Sequence, residues 1–131
     1  MIVLFAVTAP ARADELAVAR YSTVRAVPTI AQLDPLAASV RTTLPPSITR
    51  VGQAIDALLA PSGYRLAASQ AAGPERKVLL ELPLPESHRQ LGPMPLRLAL
   101  ATLAGPAFFL VEDPVHRLVS FERCTAVPAG R

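Results

Sequence analysis

The sequence has little of what usually carries chemistry or stabilises a small protein. Its 131 residues include one cysteine, Cys124, and no tryptophan. A single cysteine excludes an intrachain disulfide and a cysteine-based zinc cluster. Aromatic residues make up 5% of the chain and hydrophobic residues 51%, so we expect an aliphatic core. The length suits one compact domain and is too short for two sizeable cores.

The chain also lacks any cluster of charge. Thirteen basic residues against ten acidic ones give a formal net charge of +3, and twelve of the basic residues are arginines that stand singly. Surfaces that bind nucleic acid combine basic clusters with interleaved aromatic residues. Neither pattern occurs, so we expect no direct contact with nucleic acid and interpret the arginines as ordinary surface cations.

Motifs for catalysis or cofactor binding are missing as well. There is no phosphate loop, dinucleotide fingerprint or Gly-x-Ser-x-Gly elbow. His88 and His116 lack metal-ligand spacing and are expected on strands, where Ser87 and His88 would point to opposite faces. Glu112-Asp113 is predicted at a solvated hairpin turn, and Asp56 on the outer face of a helix. We therefore expect no enzyme, no catalytic, cofactor-binding or metal-binding residues, and no cofactor.

Residues 1–13 resemble the end of a secretory signal peptide. Ile2–Val7 is apolar, and Ala11-Arg12-Ala13 places small residues where signal peptidase reads them. The apolar run is far below the roughly 20 residues that span a bilayer, so no transmembrane segment is expected. A signal peptide starts with a basic segment, which is absent here, and an N-terminal core strand is the alternative. We expect a truncated signal peptide and a mature chain that begins at Asp14.

What the chain does contain is a helical pattern that occurs twice, 45 residues apart. Apolar residues fall on one stripe in each copy, and a small residue followed by Pro61 or Pro106 closes each stripe. The first set is Val51, Ala54, Ile55, Leu58 and Leu59, and the second is Leu96, Ala99, Leu100, Leu103 and Ala104. This spacing predicts two amphipathic helices, 50–60 and 96–104, each laid on a core.

Shorter patterns predict the other elements. Strands are expected at 40–44, 64–68, 86–91, 107–112 and 117–123, with Gly92-Pro93 breaking the third. Residues 15–27 are interpreted as an extended lead-in or edge strand, 30–38 as a helix capped by Thr29, 70–77 as a loop, and 78–82 as a strand or one helical turn. The domain boundaries that follow are a lead-in at 14–19, one domain over 20–124, and a flexible tail at 125–131.

The predicted fold class is α+β, a duplicated β-α-β unit with two helices packed on small, mostly antiparallel sheets. In the last predicted strand, Val119 and Phe121 share one face, and the residues between and beside them share the other. This alternation predicts a half-buried strand. Residues 117–123 are either an edge strand that a partner strand joins or simply a solvated outer strand.

Several short motifs, in their order and spacing, resemble the PilL family of integrating conjugative elements. The motifs are Arg20-Tyr21-Ser22-Thr23, Gly63-Tyr64-Arg65-Leu66, Leu82-Pro83-Leu84-Pro85, Leu91-Gly92-Pro93-Met94, Leu103-Ala104-Gly105-Pro106 and the closing segment 115–123. The resemblance implies a periplasmic component of a conjugative, type IV-like pilus or secretion apparatus. It also implies a duplicated unit similar to the short N-terminal domains of secretins and TonB-dependent receptors, which act in docking. It implies no catalytic residues.

The function predicted from these observations is that of a non-enzymatic docking module in DNA conjugation. The protein would be periplasmic, or associated with the periplasmic side of the outer membrane. It would bind pilus or secretin subunits. The alternative is a peptidoglycan-binding module that tethers the apparatus to the cell wall. A small exported hydrolase acting on the wall is the least favoured interpretation.

Overall fold

A computed structural model describes residues 15–20 and 22–125 of the chain. These residues form seven strands and four α-helices. In chain order the elements are β1 (Glu15–Ala19), β2 (Ser22–Arg25), α1 (Ile30–Leu33), β3 (Ser39–Thr43), α2 (Val51–Leu59), β4 (Arg65–Leu66), α3 (Pro74–Glu81), β5 (Gln90–Pro95), α4 (Leu96–Ala104), β6 (Phe108–Asp113) and β7 (Leu118–Arg123). The predicted signal segment and most of the predicted tail, 126–131, lie outside the described residues.

The segment before β3 is more broken than the sequence suggests. The predicted single lead-in or edge strand is a hairpin, because β1 and β2 pair antiparallel. The predicted helix over 30–38 is two short helices, α1 and a 3-10 helix at Pro35–Ala37. Thr29 caps α1 as expected, in a capping box with Gln32. The break follows from Pro35, which lies in the first turn of the second helix, where Asp34 accepts a hydrogen bond from the Leu36 N–H.

The two amphipathic helices are confirmed. Both α2 and α4 are nine residues long, and each buries the five apolar residues of its predicted stripe. Each residue of the α2 stripe has a counterpart in α4 that is 45 residues further along the chain. Ile55 and Leu100 are one such pair, and both are fully buried. No Ser or Thr side chain caps α2. The Gln53 side chain instead turns back and accepts hydrogen bonds from the N–H groups of Thr49 and Arg50, at 2.9 and 3.1 Å.

The predicted loop over 70–77 is wrong for its second half, because residues 74–77 begin α3, and the strand or helical turn predicted at 78–82 is helical as far as Glu81. This helix starts with Pro74 at its first position, and only Arg76 and Leu79 are buried on it. Since two buried residues make no stripe, the helical period was not visible in the sequence. α3 crosses α2 closely at Gly52, where a Cβ atom would lie 2.9 Å from the Leu80 carbonyl oxygen.

β3 and β5 form a two-stranded antiparallel sheet. The strand predicted at 86–91 is misplaced, since Glu86–His88 is a 3-10 helix and β5 begins at Gln90. Gly92-Pro93 does not end the strand. It forms a bulge, because Val40 pairs with Met94 while Thr42 pairs with Leu91. Gly92 has φ +93°, and a Cβ atom there would lie 2.1 Å from the Val40 carbonyl oxygen. Only glycine allows this approach.

The third sheet has the strand order β4-β7-β6, with β4 parallel and β6 antiparallel to β7. β6 and β7 lie within one residue of their predicted bounds. The predicted alternation in the last strand is confirmed, as Val119 and Phe121 are each 1% exposed and Glu122 is exposed. However, β7 is the central strand of this sheet. The interpretation of 117–123 as an edge or outer strand is therefore wrong for Leu118 and Val119, which pair on both sides, whereas beyond Val119 β7 pairs with β6 alone among the described strands.

One cluster of buried side chains joins these elements. α2 and α4 pack against each other, and the cluster also takes in Leu91 of one sheet and Val119 and Phe121 of the other. The described residues thus confirm the α+β class. They contain three small sheets, with a parallel pair among antiparallel ones. The order strand-helix-strand occurs twice, as β3-α2-β4 and β5-α4-β6, and β7 joins the second strands of the two units.

Candidate functional site

The outer edge of β3 is an open strand edge that lies beside a groove. The backbone groups of alternate residues point to β5, since the Leu96 N–H donates to the Ala38 carbonyl and the Leu44 N–H to the Arg89 carbonyl. The N–H and C=O groups of the residues between them therefore point away from β5. These residues are Ser39, Arg41 and Thr43. Because β5 is the only strand beside β3 among residues 15–20 and 22–125, these backbone groups can pair with another chain.

The two edges of this sheet differ in their ability to accept a strand. β5 carries Pro93 and Pro95, and a proline has no N–H to donate. β3 reads Ser-Val-Arg-Thr-Thr, with no proline or glycine. Its outward side chains, including that of Arg41, are exposed. An extended partner can thus pair with β3 but would lack donors on β5.

A groove of about 520 Å³ runs beside the start of β3. Its walls come from the segment 31–40, from the end of α2 and from Leu96 at the start of α4, and they are mainly apolar. The lining residues are Ala31, Gln32, Pro35, Ala38, Ser39, Val40, Leu58, Pro61, Ser62 and Leu96. A strand added to β3 would place alternate side chains at this groove.

Exposed apolar side chains lie on the segment that leads into the groove. Val27, Ile30 and Leu33 are 71–74% exposed, and α1 buries none of its residues. Contiguous exposed apolar patches mark contact surfaces, and these three side chains lie within the short segment 27–33. The sequence analysis missed this site. The signal for it was present in Ser39–Thr43, a proline-free strand that follows a short apolar helix.

A second open edge belongs to β6, and an ion cluster stands at its end. The Arg97 guanidinium donates to Glu112 at 2.9 Å and to Asp34 at 3.1 Å. The hydrogen bonds to Glu112 and then to Asp34 raise the pKa of Arg97. All three side chains are about 40% exposed, so each ion pair contributes about 0–1 kcal/mol. The cluster links α4, β6 and the segment before β3, and it places charge beside the β6 edge.

Two neighbouring pairs, Ser87-His88 and Glu112-Asp113, were expected to have no catalytic role. Ser87 and His88 lie on a 3-10 helix rather than on a strand, and Ser87 is exposed. His88 Nδ1 is buried without a hydrogen-bond partner among the described residues. Glu112 and Asp113 are adjacent, but Glu112 binds Arg97 while Asp113 binds His116.

His116 is also placed differently from its prediction, in the turn between β6 and β7. Asp113 Oδ2 lies 2.7 Å from His116 Nδ1, and Asp113 Oδ1 accepts hydrogen bonds from the N–H groups of Val115 and His116. The side-chain bond to His116 and then the backbone bond lower the pKa of Asp113. Through these contacts the Asp113 carboxylate stabilises the turn between β6 and β7.

The remaining singled-out residues lie on the surface. Asp56 is exposed on α2, as predicted, and Cys124 is an exposed free thiol. Across residues 15–20 and 22–125 no group of three His, Cys, Asp or Glu side chains is placed to hold a metal ion. Within the same residues, no helix has the length and apolar character to cross a bilayer.

Comparisons with known proteins add no relative. No family model, curated protein or solved structure matches the chain.

Proposed function

We propose that this chain is a non-enzymatic docking module of a conjugative, type IV-like pilus or secretion apparatus, acting in the periplasm during DNA transfer by an integrative element. The observation that carries the docking part is the open edge of β3 beside an apolar groove. Pairing of an extended partner with such an edge supplies backbone hydrogen bonds, and side-chain pockets next to it supply selectivity.

The fold supports the same proposal. The two strand-helix-strand units join through equivalent elements, β3 with β5 and α2 with α4. We propose that this arrangement is of the kind found in the short N-terminal domains of secretins and TonB-dependent receptors. The motif resemblance to the PilL family favours the conjugative setting and a pilus or secretin subunit as partner. An outer-membrane association from the periplasmic side is compatible with this role.

Arg41 indicates what kind of side chain the proposed partner carries. It stands at the centre of β3 with its side chain exposed. A charge on an edge strand discourages pairing with an apolar strand, so it limits aggregation. A partner strand with an acidic residue across from Arg41 would gain a cross-strand charge pair, worth roughly 0.2–1 kcal/mol. We therefore expect the partner segment to be extended and acidic near its middle.

A co-purification experiment with edge variants tests the proposal. In Arg41→Pro the outward N–H is lost, while the backbone groups that face β5 are kept. The matched control, Arg41→Ala, removes the side chain but keeps the N–H. We expect a pilus or secretin subunit to co-purify with the unchanged protein and with Arg41→Ala, and not with Arg41→Pro of equal thermal stability. Equal recovery with all three proteins would contradict docking at β3.

The peptidoglycan-binding alternative is separated by sedimentation with purified cell-wall sacculi. Docking predicts that the protein stays in the supernatant, with or without the substitutions. Sedimentation of the unchanged protein at micromolar concentration would favour the wall-binding role instead.

A further inference from the structure

Arg76 is the one buried charged residue in the part of the chain that the structure describes. The residue is 4% exposed, and its Nη1 donates to Ser120 Oγ at 3.2 Å. Within residues 15–20 and 22–125, no carboxylate lies within ion-pair distance of its guanidinium. A buried cation is costly unless a counter-charge and further hydrogen bonds offset the lost hydration. A neutral hydroxyl satisfies one of its five N–H donors.

Arg76 lines a cleft of about 660 Å³ between the start of α3 and the end of β7. The cleft is large enough for a short extended segment. Its other lining residues are Ala72, Gly73, Glu75, Phe121, Glu122, Arg123, Cys124 and Thr125. The charged residues among these, apart from Arg76, are exposed at the rim.

The same cleft opens onto an unpaired stretch of β7. β4 pairs with β7 only as far as Val119, and the last bond of that ladder runs from the Ala67 N–H to the Val119 carbonyl. Along β7, the backbone N–H and C=O groups of every second residue point to the side on which β4 lies. After Val119, the residues whose groups point to that side are Phe121 and Arg123. Among the strands that the structure describes, neither has a neighbour there, because β4 has ended. A segment lying in the cleft can therefore continue the sheet where β4 stops.

We propose that this cleft binds an extended segment of a partner protein and that Arg76 pairs with an acidic side chain of that segment. The charge on Arg76 favours an anion, and the unpaired backbone N–H and C=O groups of Phe121 and Arg123 favour an extended backbone. A carboxylate carried by an extended peptide fits better than a free phosphate group, because only the peptide also pairs with the backbone groups of Phe121 and Arg123. The surface is distinct from the β3 edge, so the two docking proposals stand or fall separately.

Nuclear magnetic resonance with two probe peptides tests this assignment on the full isotope-labelled chain. The first probe is the blocked peptide acetyl-Thr-Val-Glu-Val-Thr-amide, and the second has glutamine in place of its glutamate. We expect saturable shifts of the Phe121 and Arg123 amide signals and of the Arg76 side-chain N–H signal. The glutamate peptide should bind at least tenfold more tightly than the glutamine peptide.

Variants on α3 provide the matched comparison. Arg76→Gln should abolish the difference between the two peptides, while Lys77→Gln, which removes an exposed cation from the next position, should preserve it. If Arg76→Gln does not fold, the peptide pair on the unchanged chain decides the question. The proposal is overturned by equal affinity for the two peptides, by no binding of either, or by shifts confined to β3. Tighter binding of inorganic phosphate than of the glutamate peptide would also overturn it.

Discussion

Truncation of Leu100 is the sharpest probe of the shared core. The side chain is fully buried on α4 and lies at the position equivalent to Ile55 of α2. Replacing a buried leucine with alanine costs about 2–5 kcal/mol, from lost transfer free energy and the cavity that remains. A domain of this size has roughly 5–15 kcal/mol of total stability. We therefore expect Leu100→Ala to remove a large fraction of the free energy of unfolding, and a charged residue at position 100 to unfold the protein.

The same helix supplies a matched control in Leu98, which is 52% exposed. Leu98→Ala makes the same chemical change with the same effect on helix propensity, but it leaves no cavity. Its cost should stay below about 1 kcal/mol, since surface substitutions rarely exceed this. Ile55→Ala should cost as much as Leu100→Ala, within about 1 kcal/mol, if α2 and α4 contribute equally to one core.

Urea unfolding followed by circular dichroism at 222 nm measures all three variants. A shift of the midpoint with an unchanged slope would report a loss of stability alone. Equal costs for Leu98→Ala and Leu100→Ala would refute the assignment of the buried stripe. A negligible cost for Ile55→Ala would refute the equivalence of the two helices.

Three further predictions concern close backbone approaches and one turn. Gly92→Ala should lower the free energy of unfolding in urea by about 2–5 kcal/mol, because it combines a strained φ with a clash. Gly105 has φ +78° and open space around it, so Gly105→Ala should cost only the backbone strain, about 1–3 kcal/mol. Gly52→Ala should lower the melting temperature despite the better helix propensity of alanine, since the added Cβ meets an α3 carbonyl oxygen at 2.9 Å. His116→Gln should raise the pKa of Asp113 toward its ordinary value in a carboxyl NMR titration. Because the pKa of Asp113 is lower in the folded than in the unfolded protein, the Asp113 carboxylate stabilises the fold at pH values above its unfolded pKa. This stabilisation is lost as the pH falls through the folded pKa. His116→Gln should therefore lose less stability in acid than the unchanged protein. An unchanged Asp113 titration in His116→Gln would contradict the assigned cause.

The elements predicted well are those whose signals are local. α2 and α4 carry a complete apolar stripe and end at small residues followed by proline, so their bounds were predicted within one residue. β6 and β7 alternate with a period of two and flank Asp113-Pro114. The order of elements in the two strand-helix-strand units followed from these signals.

What the sequence could not show depends on contacts between distant segments. α3 was missed because it buries only Arg76 and Leu79, although Gly73-Pro74-Glu75 is a reasonable helix start. Gly92-Pro93 was interpreted as a strand break because its bulge exists only against β3. The central place of β7 depends on its parallel pairing with β4, a two-residue strand that is 52 residues away along the chain. For the same reason the open edge was assigned to β7 rather than to β3.

Site-specific photo-crosslinking in cells that carry the conjugation apparatus tests the central proposal most directly. A photo-reactive amino acid replaces Arg41 on the β3 edge in one variant and Asp56, exposed on α2, in another. Docking at β3 predicts a covalent adduct from position 41, identified by mass spectrometry as a pilus or secretin subunit, and none from position 56. Adducts of equal yield from both positions, or no pilus or secretin subunit joined at position 41, would contradict it.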